Sequence, residues 1–251
     1  MRASLVVRDT PPELWAALAA AWRESALAAV RDHGWYAVAL SGGLTPDGFY
    51  RRLAREPGLP WHRTHLFLAD ERLAGPQEAG SNARLVGDAL IAGLRRPPAG
   101  VHFPSTSPAD AGLAAAAYER QLREFFRGVG AAAPALDLAL LGLGTDGHTA
   151  SLFPGAAALA ERERLVAGVP AAAARSARVT MTLPFLNASG RVIVLATGAD
   201  KRAPLSRVLA GDRDLPAARL GSDAGAVEFF VDREACPDEM AASARRGAGP
   251  A

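Results

Sequence analysis

The stretch Gly142-Leu143-Gly144-Thr145-Asp146-Gly147-His148-Thr149-Ala150-Ser151-Leu152-Phe153-Pro154-Gly155 concentrates the residue types that proton transfer needs. An imidazole titrates near neutral pH, so His148 can take and return a proton under cell conditions. Asp146, two residues earlier, can bias the tautomer of that imidazole or stabilise its cation. The glycines permit a tight turn and a close backbone approach to a ligand. Apolar Leu136 to Leu141 precedes them and reads as a buried strand, which puts the histidine at the tip of a loop leaving a sheet. Gly142, Gly144 and Gly147 also spell G-x-G-x-x-G, the dinucleotide fingerprint. That fingerprint requires a long helix directly after the glycines and an acid about 20 residues further on. Pro154-Gly155 would break such a helix within two turns. Glu161 and Glu163 lie in a charged run rather than at a strand end. The loop is read as catalytic, and no cofactor is expected.

Three other loops carry chemistry at comparable positions. Ser41-Gly42-Gly43-Leu44-Thr45-Pro46 joins a strand to a helix read as starting at Pro46. Free N–H groups at a helix start, with the Ser41 and Thr45 hydroxyls, make an anion cradle; the Gly-Lys-[Ser/Thr] ending of a P-loop is missing. Asp70-Glu71-Arg72 follows the strand Thr64 to Ala69. Arg72 is a candidate clamp for a phosphate or carboxylate, and Asp70 a candidate to hold a sugar hydroxyl or orient Arg72. Lys201 is the single lysine among 28 basic residues. It is a compact point charge that a planar guanidinium does not replace. It sits at the start of a helix, where a cation opposes the helix dipole unless an anion is bound there. His33, His62, His65 and His102 are read as structural or exposed. No pair of histidines has metal-ligand spacing, so no metal is expected.

The elements that must hold these loops alternate along the chain. Strands are expected at Leu5 to Val7, Trp35 to Leu40, Thr64 to Ala69, His102-Phe103, Leu136 to Leu141, Arg178 to Leu183, Val192 to Ala196 and Val227 to Val231. Helices are expected from Pro11 toward Asp32 behind a Thr10 cap, and over Pro46 to Leu53, Asn82 to Leu94, Pro108 to Phe126 and Asp200 to Leu209. This alternation predicts an α/β fold: an open, mostly parallel Rossmann-like sheet with helices on both faces. No Gly/Ser linker divides the chain, so residues 1–240 are read as a single domain and 241–251 as a frayed tail. In such sheets ligands bind beyond the carboxyl ends of the strands, which gathers the four loops on one rim.

Composition narrows the class. A hydrophobic content of 49% over 251 residues supplies an ample core. The net charge of +2, with no basic run longer than two residues, argues against nucleic acid as a partner. Cys236 is the only cysteine, which fits a reducing compartment. No segment approaches the ~20 apolar residues of a membrane span. Pro11-Pro12 and Glu13 interrupt any signal-peptide pattern. A cytoplasmic protein, monomeric or a small homo-oligomer and not membrane-bound, is expected.

Together, Leu40 to Pro46, Ala69 to Arg72, Ser81-Asn82, Gly142 to Pro154 and Gly198 to Lys201 resemble the 6-phosphogluconolactonase family. That family lies within the wider sugar-phosphate isomerase and glucosamine-6-phosphate deaminase superfamily. The resemblance runs from the first strand to Val231-Asp232. It implies hydrolysis of 6-phospho-D-glucono-1,5-lactone to 6-phospho-D-gluconate in the oxidative pentose phosphate pathway. It aligns His148 with the family's catalytic histidine, Arg72 and Lys201 with its basic substrate contacts, and Ser41, Gly42, Gly43 and Thr45 with its phosphate-side loop. The deaminases have a similar loop but place a glutamate five residues after the histidine, where this chain has Phe153. They also usually carry an aromatic in place of Arg72. A sugar-phosphate sensor without catalysis is the non-enzymatic alternative, against which the retained His148 argues.

Overall fold

In the computed structural model, residues 2–73, 80–107, 110–172, 175–221 and 225–237 are described. The order is β1 (Ala3–Arg8), α1 (Pro11–His33), β2 (Tyr36–Leu40), α2 (Leu44–Leu53), β3 (Thr64–Leu68), β4 (Asp70–Arg72), α3 (Asn82–Ala89) and β5 (Gly100–His102). It continues with α4 (Ala111–Gly128), β6 (Leu138–Gly142), β7 (Val166–Val169), β8 (Arg178–Met181), α5 (Leu183–Asn187), β9 (Arg191–Ala196), α6 (Arg202–Leu209) and β10 (Val227–Asp232). Local chemistry sets the ends. The Thr10 N–H donates to the Glu13 carboxylate at 3.1 Å ahead of α1. Asp110 accepts from the Leu113 N–H at 2.8 Å and opens α4.

Seven strands form one parallel sheet in the order β1-β10-β9-β6-β2-β3-β5. Its central strands are buried on both faces, so alternate side chains enter different cores. Tyr36, Val38 and Leu40 of β2 pack with Trp22, Phe49 and Tyr50 of α1 and α2. Ala37 and Ala39 face the other way, toward Tyr118, Leu122 and Phe126 of α4 and Leu205 of α6. The strand order reverses between β2 and β6, so the loops after these two strands flank the crevice where open α/β sheets bind ligands.

The sequence expectation needs four corrections. Arg178 to Leu183 does not join the parallel sheet. Its first four residues form β8, in a separate antiparallel sheet of order β4-β8-β7, and Leu183 already begins α5. Asp70-Glu71-Arg72 is not a solvated loop but the short strand β4 of that second sheet. Glu71 is fully buried because it supplies the acceptors that the start of α3 lacks, taking the N–H groups of Asn82 at 2.9 Å and Ala83 at 2.7 Å. The helix after β2 begins at Leu44, two residues before the proline. Pro46 then falls in the first turn, where its missing N–H breaks no hydrogen bond. The expected helix over Asn82 to Leu94 ends at Ala89 and passes into a 3-10 turn, Ile91–Gly93. The expected tail at 241–251, and Pro108 at the expected start of α4, lie outside the described residues.

Candidate active site

Three loops, with strands β4 and β8 of the small sheet, line a cavity of about 390 Å³ at the carboxyl ends of β2, β3, β6 and β9. Ser41, Gly42, Gly43 and Thr45 come from the β2 loop, Asp70 and Arg72 from β4, Gly144 and His148 from the β6 loop, and Lys201 from the β9 loop. Of the residues proposed from sequence, only Asp146 is not part of this lining; it stands behind His148.

The β6 loop closes on itself. The Gly144 N–H donates to the His148 carbonyl at 2.8 Å, and the Gly147 N–H to the Gly144 carbonyl at 3.0 Å. This lays the imidazole across Gly144. A Cβ on that residue would meet His148 Nδ1 at 2.0 Å, so only glycine leaves room for the ring. Asp146 Oδ1 lies 2.5 Å from His148 Nδ1 and also accepts the His148 backbone N–H at 3.1 Å. Burial alone would raise the Asp146 carboxyl. The hydrogen bonds from His148 outweigh it and hold the group below the usual carboxylate range. An ionised Asp146 accepts from a protonated Nδ1, which leaves Nε2 as the imidazole's proton acceptor. Phe153 packs against the same imidazole, with ring centroids 4.7 Å apart.

The cavity is also basic. Arg72 and Arg178 are direct cross-strand partners in the β4–β8 pairing. Like charges at such positions repel unless something negative lies between them. Burial pushes the Arg178 guanidinium below its ordinary value; Asp70 opposes this, while Arg72 and Arg175 add to it. Arg178 Nε is buried and has no hydrogen-bond partner among the described residues. The Arg72 guanidinium donates to the Gly80 carbonyl and not to Asp70. Asp70 accepts from Ser151 Oγ at 2.5 Å and from Asn82 Nδ2 at 3.1 Å. Asn82 also forces Gly42 to be a glycine, since a Cβ there would meet its Oδ1 at 1.7 Å.

The β2 and β9 loops are tied together by Thr197 Oγ1, which donates to Thr45 Oγ1 at 3.2 Å. The Gly198 N–H reaches both oxygens of buried Asp232 at 3.1 Å, fixing the turn ahead of Lys201. Lys201 Nζ lies 2.8 Å from Asp200 Oδ2, and its side chain is only 18% exposed. The Ser41 hydroxyl is buried and finds no partner among the described residues. What that loop offers the cavity is therefore its backbone and Thr45, at the N-terminal end of α2. Sequence reading missed Arg178 and Asn82 as cavity residues. Asn82 stood in a quoted motif without a role, and Arg178 was read only as the start of a strand.

The family model described as glucosamine-6-phosphate isomerases/6-phosphogluconolactonase matches residues 9–229. A 6-phosphogluconolactonase of Rattus norvegicus is 38% identical over 238 residues, covering 91% of each chain. One from Nostoc is 38% identical over 191 residues, 74% of this chain and 76% of that one. The crystal structure of 6-phosphogluconolactonase from Thermotoga maritima superposes with a TM-score of 0.79 at 30% identity, covering 92% of this chain and all of that one. With a cavity at the switch point of a parallel sheet, lined by a histidine that an aspartate holds and by paired cations, the chain belongs to the glucosamine-6-phosphate isomerase/6-phosphogluconolactonase family.

Proposed function

We propose that this protein hydrolyses 6-phospho-D-glucono-1,5-lactone to 6-phospho-D-gluconate, with His148 as the general base. The observation that carries this reading is an imidazole held by Asp146 at one nitrogen, in a small cavity that a pair of cross-strand arginines also lines. Such a cavity suits a substrate with an electrophilic carbon at one end and an anion at the other. Its relatives with the lactonase name support the same substrate class.

In this mechanism, neutral His148 takes a proton from water through Nε2 as the water oxygen attacks C1. Ionised Asp146 stabilises the imidazolium that forms. The C1 carbonyl oxygen becomes an oxyanion and is stabilised by Arg72. The tetrahedral intermediate collapses, the bond from C1 to the ring oxygen breaks, and the imidazolium returns its proton to that oxygen. Lys201, Arg178, Thr45 and the N–H groups of the Ser41-Gly42-Gly43 turn hold the phosphate. Their grip keeps C1 near the imidazole and contributes to rate by positioning.

The deaminase alternative is disfavoured by Phe153, which places an apolar ring on His148 where a deaminase places a glutamate. The deciding assay mixes the protein with freshly prepared 6-phosphogluconolactone and follows acid release above the spontaneous rate. Glucosamine-6-phosphate is tested in parallel for ammonia. Lactone hydrolysis without deamination is expected, with turnover lowered roughly a hundredfold or more in His148→Ala. Ammonia release, or a His148→Ala variant as fast as the native chain, would overturn the reading.

A further inference from the structure

We propose that Arg175, at the tip of the hairpin between β7 and β8, is a positioning residue for the catalytic imidazole and acts through Phe153. The proposal rests on His148 being the general base.

The imidazole has three supports. Asp146 holds Nδ1, Gly144 lies beneath the ring, and Phe153 packs on it with centroids 4.7 Å apart. The first two belong to the β6 loop itself. Phe153 is 94% buried, yet the Arg175 guanidinium carbon sits 3.9 Å from its ring centroid. Arg178 lies farther out, at 5.4 Å. A guanidinium at van der Waals distance from a phenyl face is a cation–π contact, and it strengthens as the ring is withdrawn from water.

Arg175 is itself well anchored. Its N–H donates to the Ala172 carbonyl at 2.9 Å, and its carbonyl accepts the Ala172 N–H at 2.9 Å. These bonds fix the backbone from which the exposed Arg175 side chain reaches the ring. Arg72 and Arg178 line the cavity, whereas Arg175 is not among the described residues that do. Its contact with the phenyl ring gives it a route to the chemistry that bypasses the substrate. An aromatic ring with a cation on it has fewer orientations open to it, and the imidazole packed on that ring inherits the restriction. A base that must meet water within hydrogen-bond reach of C1 gains rate from a fixed ring plane.

The test is a double-mutant cycle on the full chain, with kcat and KM measured for 6-phosphogluconolactone. Arg175→Ala should lower kcat about three- to tenfold, with KM within a factor of two. Arg175→Lys keeps a cation able to sit on the ring and should recover most of that loss. Phe153→Leu keeps an apolar side chain but no π face. In that background Arg175→Ala should have no further effect on kcat. A rise in KM at constant kcat would make Arg175 a substrate contact and overturn the proposal. Additive losses in the double variant would overturn it too, because the coupling would not run through Phe153. So would an unchanged kcat in Arg175→Ala. His148→Ala is measured alongside: if it keeps native turnover, the assignment of the base fails, whatever the cycle reports.

Discussion

Asp146 accepts two hydrogen bonds from one residue, and this decides which nitrogen of His148 is available. With the carboxylate ionised, Nδ1 carries the proton and Nε2 is the base. Asp146→Asn alters this, because an amide nitrogen can donate to Nδ1 and favour the opposite tautomer. Asp146 is half exposed, so water partly compensates. A ten- to hundredfold fall in kcat, roughly, is expected, smaller than for a fully buried triad acid. Steady-state kinetics at neutral pH check it; a kcat within twofold of native would show that Asp146 does not set the tautomer. Lys201 poses a different question, because only its ammonium would meet the phosphate. Lys201→Ala should raise KM for 6-phosphogluconolactone roughly ten- to hundredfold, while hydrolysis of unphosphorylated gluconolactone changes little. Equal losses on both substrates would remove Lys201 from the phosphate. Lys201→Arg should not restore the native KM, since a wider planar group must fit where a side chain only 18% exposed now sits.

The loops that carry these groups differ in how far their form could be read from the sequence. The β6 loop was legible, because apolar Leu136 to Leu141 followed by glycines can hardly be anything but a buried strand and a turn. The other parallel strands were legible as short apolar runs, although β5 spans Gly100–His102 where His102-Phe103 was expected. The small antiparallel sheet was not. Its β4 is Asp-Glu-Arg, with no apolar alternation, and its burial depends on α3 supplying N–H donors to Glu71. Its β7 contains Gly168, where a Cβ would meet the Ala111 carbonyl oxygen at 2.5 Å, a constraint set by α4 and invisible locally. Arg178 was missed with it, because only the pairing opposite Arg72 brings it to the cavity. The glycine loop yields its own prediction. Gly144→Ala must push the imidazole away, since the added Cβ would sit 2.0 Å from Nδ1. The loop is at the surface of the fold and can shift. We therefore expect a melting temperature lowered by less than about 10 °C and a kcat lowered at least about a hundredfold. Circular dichroism melts beside kinetics distinguish this from unfolding, and native kcat in the variant would mean that the ring does not need its place over Gly144.

The whole fold segregates its chemistry: the cavity occupies the carboxyl edge of the parallel sheet, while a pair of histidines lies on β3 and β5 and does not line it. His65 Nδ1 and His102 Nε2 are 3.1 Å apart, packed against Phe67 and Phe125. Only one proton can lie between two such nitrogens, so a second charge brings repulsion as well as desolvation. Burial, reinforced by His102, lowers His65 to about 4; burial also lowers His102. Both folded values lie below the ordinary histidine range, so the unfolded chain binds more protons than the native one between about pH 6.5 and 4. Stability is then fully present above that window and is lost as pH falls through it. Asp137, raised by burial, acts in the opposite sense just above the ordinary carboxylate range. Asp146, held low, costs stability only when the pH drops below about 4. The expected result is a urea midpoint that falls between pH 7 and pH 5. His65→Leu should flatten that slope, because it removes the ring lowered to about 4. It should leave kcat at pH 7 near native, since the pair lies at the far side of β3 from the β4 cations and the β6 loop. An unchanged slope in the variant would place the acid sensitivity elsewhere in the molecule.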